Sequence, residues 1–143
     1  VTSPAETVTG KINGATITIK YGSPSVKGRA IWGALVPYDK VWRAGANDAT
    51  TFETDKTITI EGKQLPAGKY SFFVIPNENE SIIIFNKEAK QWGSYDYKAS
   101  SDQLRVTVKN ENGDALVEKL EYKIMETRIE LLWEKLIIGF EVK

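Results

Sequence analysis

The chain has 143 residues and no net charge, because 19 lysines and arginines balance 19 aspartates and glutamates. A chain of this length is typical of one ordinary domain, and the absence of a basic excess argues against a nucleic-acid partner. Cysteine and histidine are both missing, which excludes disulfides, thiolate nucleophiles, Cys/His zinc sites and imidazole bases. No apolar run approaches the roughly 20 residues that a transmembrane helix needs. We predict a single domain over residues 1–143 without a transmembrane segment.

The first predicted elements form a β-hairpin. Residues 15–21 alternate apolar and polar side chains, which is the period of a half-buried strand. The Asn-Gly pair at 13–14 joins this strand to a second one at 8–12. Because Asn-Gly accepts the positive φ angles of a type I′ turn, the connection is predicted to be a two-residue turn.

Further strands are predicted in the middle of the chain. Residues 57–60 alternate, and the turn-forming sequence Leu-Pro-Ala-Gly at 65–68 leads into a predicted strand at 69–75. Residues 81–86 contain a continuous run of four apolar residues that is too short for a typical helix. Such a run predicts a central strand that is buried on both faces.

The C-terminal third gives a less uniform pattern. Residues 104–109 alternate, and the sequence 110–114 is predicted to be a turn that closes this strand. Residues 115–125 fit either a helical stripe or a strand, and we favour a strand. Two more alternating runs, 129–133 and 136–142, predict a closing hairpin around the charged pair between them.

These elements amount to about nine short strands with no long helix, which predicts an all-β protein with a jelly-roll-like, antiparallel β-sandwich fold. Two irregular stretches, residues 22–47 and 87–102, hold three of the four tryptophans. Long loops in a compact domain are usually functional or form a small core of their own. The two loops are therefore the first place to look for a site.

In the first loop, cations alternate with large aromatic rings. The candidate ligand-binding residues are Lys27, Arg29, Trp32, Trp42, Arg43 and Asn47. Arginine stacks on rings and binds carboxylates or phosphates through two parallel hydrogen bonds, so this pattern can form an anion or sugar site. The alternative is a structural one, in which each guanidinium packs on a ring and donates to loop carbonyls.

The second loop adds Trp92 and Tyr95 next to Asp96. An exposed ring beside polar groups can stack on the apolar face of a sugar while the sugar hydroxyls form hydrogen bonds. The alternative is that these rings are buried under the loop, since large aromatic side chains are mostly buried.

A catalytic alternative rests on carboxylates. Glycoside hydrolysis needs two acids about 5 to 10 Å apart, and five acids lie in or near the loops: Asp39, Asp48, Glu53, Asp55 and Asp96. A serine triad is excluded by the absence of histidine. The spacing of an EF-hand calcium loop is also missing, and we predict neither a metal nor a cofactor.

The loop sequences resemble a known bacterial family. The resemblance is based on seven motifs: YGSPSVKGRAIWG at 21–33, LVPY at 35–38, VWRAGANDAT at 41–50, LPAGKY at 65–70, IFNK at 84–87, QWGSYDY at 91–97 and DQLRV at 102–106. They resemble domain-of-unknown-function family 2911 over nearly the whole chain, with a looser match after residue 110. The resemblance implies no established activity and no catalytic residue. It also implies a secretion or lipoprotein leader, which would account for a first residue other than methionine.

We therefore expect an exported, periplasmic or envelope-associated β-sandwich that is a binding module and not an enzyme. Its two aromatic loops are predicted to meet at one end and bind a small polar ligand, a sugar or a small anion. The first alternative is a structural or protein-interaction module, and the second is a carboxylate-based glycan hydrolase.

Overall fold

The computed structural model describes residues 3–92 and 94–143, and over these residues the chain is almost entirely β-structure. The strands are β1 (Ala5–Ile12), β2 (Ala15–Gly22), β3 (Thr50–Thr54), β4 (Ile58–Ile60), β5 (Lys63–Leu65), β6 (Gly68–Pro76), β7 (Glu80–Asn86), β8 (Asp102–Ile124) and β9 (Arg128–Glu141). One 3₁₀ turn, Ala99–Ser101, is the helical element of the described chain. None of the described segments forms a helix with the length and hydropathy of a membrane span.

Seven strands form one antiparallel sheet in the order β1-β2-β3-β6-β7-β8-β9, and β4 pairs with β5 as a separate hairpin. The sheet curls, so its last strands pack over the inside of the earlier ones. The ring of Phe72 on β6 lies 6.1 Å from that of Tyr122 on β8 and 5.9 Å from that of Phe140 on β9. The predicted all-β, antiparallel, sandwich-like fold is confirmed. The Asn13-Gly14 turn is confirmed as well, with φ angles of 51° and 82°.

The central strand β7 is buried on both faces, as its apolar run predicts. Ile83 and Phe85 belong to the main core inside the curled sheet. The opposite face carries a second small cluster of Ala49, Phe73 and Ile84, with Val41 and Tyr97 packed against it. Because Val41 and Tyr97 belong to the two long loops, this outer cluster fastens both loops to the sheet.

The turn predicted at 110–114 is wrong, since β8 runs on through it. Asn112 pairs with Leu136 and Val117 pairs with Glu134, so residues 113–116 of β8 face a single residue of β9. The extra residues form a bulge, which lets a strand continue through a sequence rich in turn-forming residues.

The predicted closing hairpin is also wrong, because β9 is one strand from Arg128 to Glu141. Glu134 has a φ of 60°. The charged pair Glu134-Lys135 therefore forms an irregularity inside the strand and does not end it. Strand β3 was not predicted, since its sequence TTFET has only one apolar residue. Thr50 and Thr54 are buried there and donate hydrogen bonds to the carbonyls of Ala44 and Lys56.

Candidate functional site

The first long loop is fixed to the sheet by backbone hydrogen bonds on both sides of Arg43. Trp42 and Val74 on β6 exchange two of them, at 2.8 and 3.0 Å, and the amide of Ala46 donates to the carbonyl of Gly22 at 3.1 Å. Gly22 is the last residue of β2, so the loop bridges two strands of the sheet. The backbone that carries Arg43 is therefore held in place independently of its side chain.

Ala44, the next residue, has a left-handed backbone with φ of 59° and is fully buried. This conformation is unfavourable for a residue with a Cβ atom. Its carbonyl accepts two buried hydrogen bonds, from Thr50 Oγ1 at 3.0 Å and from the Tyr122 hydroxyl at 2.6 Å. Burial raises the pKa of Tyr122 far above its ordinary value, so this hydroxyl stays protonated and can donate. The two hydroxyls together stabilise the strained turn.

Three indoles pack together beneath the loop. The rings of Trp32 and Trp42 meet edge to face at 5.4 Å between centroids, and Trp42 lies nearly parallel to Trp133 at 6.2 Å. Trp32 Nε1 donates to the Trp133 carbonyl, and Trp133 Nε1 donates to the carbonyl of Glu118, both at 3.3 Å. Trp133 is buried, whereas Trp32 and Trp42 are half-buried. The group forms a rigid apolar floor.

A cleft of about 280 Å³ opens above this floor, and we call it the Arg43 cleft. It is lined by Ser3, Pro24, Ser25, Lys27, Arg29, Leu35, Val36, Trp42, Arg43, Gly45, Ala46 and Trp133. Three lining residues are cations and none is a carboxylate. Trp32 packs against Trp42 and Trp133 but does not line the cleft.

The two arginines of the cleft differ in what they bind. Arg29 donates from Nε to the Val26 carbonyl at 3.0 Å and from Nη2 to the Ser25 carbonyl at 2.6 Å. Arg29 thus has the structural arrangement given above as the alternative. Arg43 Nε, in contrast, is buried and has no hydrogen-bond partner among the described residues. A buried donor without a partner is costly, and Arg43 is the group at which a ligand would be stabilising.

Lys27 and Asn47 are held at the edges of this region. Lys27 has φ of 50°, and its backbone amide donates to Glu118 Oε2 at 2.9 Å. Asn47 has φ of 66°, donates from Nδ2 to the carbonyl of Ser3 at 3.3 Å, and lines a neighbouring depression of about 310 Å³. The side chain of Asn47 therefore does not reach the same space as Arg43.

The two long loops touch through their backbones. Asp48 forms a β-bridge with Trp92, and the amide of Ala49 donates to the Gln91 carbonyl at 3.1 Å. Trp92 nevertheless lines a separate depression, and Tyr95 lines none of the five main depressions of the described chain. The structure brings Lys27, Arg29, Trp42 and Arg43 together, and it sets Trp92 and Tyr95 apart from them.

The five loop carboxylates are dispersed. Asp39 accepts from Asn77 Nδ2 at 2.9 Å, and Asp55 accepts from the amide of Thr16 at 2.8 Å. Across residues 3–92 and 94–143, none of the five main depressions is lined by two of these acids. The same residues contain no group of three or more carboxylates that could hold a metal ion.

Trp133 is the main residue of the cleft that the sequence does not single out. It lies in an alternating run of β9, where its position predicts a core residue, and only the packing of the first loop onto β9 makes it part of a cleft wall. Tyr122 likewise acts on the loop from β8, a strand that is distant in sequence. No local pattern indicates such contacts.

Fold and site together define an all-β protein whose curled antiparallel sheet carries a cationic cleft, formed largely by a long loop and lined by Trp42. The family model described as protein of unknown function (DUF2911) matches residues 3–142. The chain belongs to this family, as its motifs indicate. No curated protein matches the chain, and no solved structure does.

Proposed function

We propose that the Arg43 cleft binds a small anionic ligand with a flat apolar part. The observation that carries this proposal is the buried Nε of Arg43, which has no partner among the described residues in a cleft shared with Lys27 and Arg29. A carboxylate or phosphate oxygen is the natural acceptor for a guanidinium. An anion would satisfy this donor and reduce the repulsion between the cations around it.

The charge of the cleft supports an anion over a neutral ligand. Lys27, Arg29 and Arg43 have no ion-pair partner among the described residues, and no lining residue is acidic. Glu118 lies close by but accepts from the backbone amide of Lys27. In a chain with zero net charge, such a local excess of positive charge gives the cleft an attraction for anions that the whole molecule lacks.

The size and walls of the cleft limit the ligand further. About 280 Å³ is slightly below the roughly 300 to 1,000 Å³ found for small-molecule sites, so a small molecule fits better than an oligomer. The half-buried Trp42 supplies the flat apolar surface of the cleft, because Trp133 is only 1% exposed. A small aromatic or ring-shaped molecule with a carboxylate or phosphate group matches both features.

Thermal and chemical unfolding at low ionic strength test the proposal, with phenyl phosphate, inorganic phosphate and phenol as probes. We expect phenyl phosphate to stabilise the protein most, inorganic phosphate less, and phenol not measurably. A ligand that binds only the folded state adds about 2.7 kcal/mol to the free energy of unfolding when its concentration is about a hundredfold above Kd. Failure of every anion to stabilise the wild-type protein would contradict the proposal.

The variant Arg43→Met assigns the binding to this side chain, because methionine keeps much of the apolar stem and removes the guanidinium. We expect it to lose the stabilisation by phenyl phosphate and to keep or raise the ligand-free unfolding free energy, because it removes a buried donor that has no partner among the described residues. Lys135→Met, which removes an exposed cation outside the cleft, is the matched control and keeps the stabilisation. A ligand-free loss of about 1 to 3 kcal/mol in Arg43→Met would instead favour the structural alternative.

A further inference from the structure

A second depression lies where the two long loops meet, and it shares no lining residue with the Arg43 cleft. It has a volume of about 540 Å³ and is lined by eight residues. Six of them have polar, charged or aromatic side chains: Asp48, Thr51, Lys69, Lys90, Gln91 and Trp92. We call it the Trp92 depression.

Trp92 is exposed to an unusual degree for a tryptophan. Its side chain is 63% exposed, whereas Trp133 is 1% exposed. The backbone of Trp92 is fixed by the bridge to Asp48, and the neighbouring Gln91 carbonyl accepts from the amide of Ala49. The ring is therefore presented to solvent by an anchored backbone, and exposing so large an apolar surface is unfavourable unless something covers it.

Gln91 adds an unsatisfied polar atom at the same place. Its side chain is 7% exposed, and its Nε2 donates to Asn86 Oδ1 at 3.1 Å and to the Glu88 carbonyl at 2.6 Å. These two acceptors fix the orientation of the amide. Its Oε1 atom is buried and has no partner among the described residues. This carbonyl oxygen is an acceptor for a hydroxyl or amide of a bound molecule.

The chemistry around the ring favours a sugar over a protein surface. A protein contact built on tryptophan usually lies in a contiguous apolar patch, but the other side chains here are polar, charged or alanine, and the charges of Asp48 and Lys69 are opposite in sign. One ring face among donors and acceptors of both kinds matches a pyranose, whose C–H face is apolar and whose edge carries hydroxyls.

We propose that the Trp92 depression is a carbohydrate-binding site for glycans with flat, equatorially substituted pyranose rings. One such ring stacks on the indole of Trp92. The hydroxyls of the same or the next sugar bind Asp48, Thr51 and Lys69, with Gln91 Oε1 available as a further acceptor. The site is independent of the Arg43 cleft, because the two share no lining residue.

Tryptophan fluorescence tests the proposal with cellohexaose and chitohexaose as probes and acrylamide as a neutral quencher that does not compete for the cationic cleft. Trp92 is the most exposed of the four tryptophans, so it contributes most of the quenching. We expect one or both probes to reduce the quenching of the wild-type protein. Absence of binding by both probes would overturn the proposal.

Two variants localise the binding, with titration calorimetry as the direct measure. Trp92→Ala removes the ring and is expected to weaken binding about tenfold or more, because the stacking contact and the apolar area that it covers are both lost. Tyr95→Ala is the matched control, because this exposed ring lies in the same loop outside the depression, and it should bind like the wild type. Both side chains are exposed, so both variants should fold.

Two results would contradict the assignment to Trp92. One is binding by Trp92→Ala within about twofold of the wild type, which is less than any stacking contribution predicts. The other is self-association of the wild-type protein in sedimentation that Trp92→Ala abolishes while neither glycan binds, which would assign the ring to a protein contact. Loss of anion binding by Arg43→Met leaves this site unaffected, so the two proposals fail separately.

Discussion

At the scale of single residues, the most constrained point near the Arg43 cleft is the carbonyl of Ala44. Two hydroxyls from separate strands, Thr50 on β3 and Tyr122 on β8, converge on it, and they hold a left-handed alanine in place. The sequence does not predict the contact from Tyr122, because this residue is 78 positions away in the chain. The alternation of apolar and polar residues predicts which face of a strand points inward. It does not predict the hydrogen-bond partner of an inward hydroxyl, because that partner depends on how the loop packs.

Tyr122→Phe should lower the free energy of unfolding by about 1 kcal/mol near neutral pH, because it removes one buried hydrogen bond and keeps the ring. The effect should shrink in alkali. Burial raises the pKa of Tyr122, so below about pH 10 the phenol is neutral in both states, and above it only the unfolded state loses the proton. The wild type therefore loses stability that the variant keeps, by about 1.4 kcal/mol for each pH unit above 10.

Urea unfolding between about pH 8 and about pH 11 measures this difference. Tyr95→Phe is the control, since the side chain of Tyr95 is 93% exposed and makes no hydrogen bond among the described residues, and its curve should follow that of the wild type. A difference between Tyr122→Phe and the wild type that stays constant across this range would contradict a buried, protonated Tyr122.

At the scale of elements, the long loop depends on a close approach between its backbone and the end of β2. A Cβ atom on Gly22 would lie 2.9 Å from the Ala46 carbonyl carbon and closer still to its oxygen. Gly45 is as tightly placed, with its Cβ position 2.9 Å from the Gly22 carbonyl oxygen. Only glycine permits this contact, and it positions the segment from Trp42 to Asn47 on the sheet.

Gly22→Ala should displace this loop and lower the free energy of unfolding by about 1 to 3 kcal/mol, the usual cost of forcing extra atoms into a packed region. It should also abolish binding of phenyl phosphate, since the cleft residues move with the loop. Gly113→Ala is the matched control, because its Cβ would make only an ordinary contact of 3.4 Å with Ile137. We expect that substitution to be neutral or slightly stabilising. Equal unfolding curves for the two variants would show that the loop is not held by this contact.

At the scale of the whole molecule, the sequence predicts the fold class better than the way the strands are connected. The period of two and the Asn-Gly turn are local properties, and they identify β1, β2, β6 and β7 correctly. The long strands β8 and β9 are predicted as broken, because they pair with each other and this pairing absorbs the turn-forming and charged residues inside them as bulges. The same holds for the site. The sequence of the loops indicates which residue types form it, but which of these residues lie together depends on how the loops pack on the sheet.

One domain over residues 1–143 stays a prediction, and calorimetry tests it. The main core includes residues from every strand of the sheet, from Ile12 on β1 to Phe140 on β9, so we expect a single cooperative transition with equal calorimetric and van't Hoff enthalpies. The heat-capacity change for a chain of this length should be about 2 kcal/mol/K. Two separate transitions would contradict the single domain.

The packing of Trp32, Trp42 and Trp133 has an optical consequence. Transition dipoles as near to one another as these exchange excitation, so the three rings absorb light as one coupled chromophore. Its circular dichroism depends on the angles between the rings, and those angles exist only while Trp42 remains docked on the sheet. The near-ultraviolet circular dichroism therefore reports, without any label, whether the first long loop remains docked on the sheet.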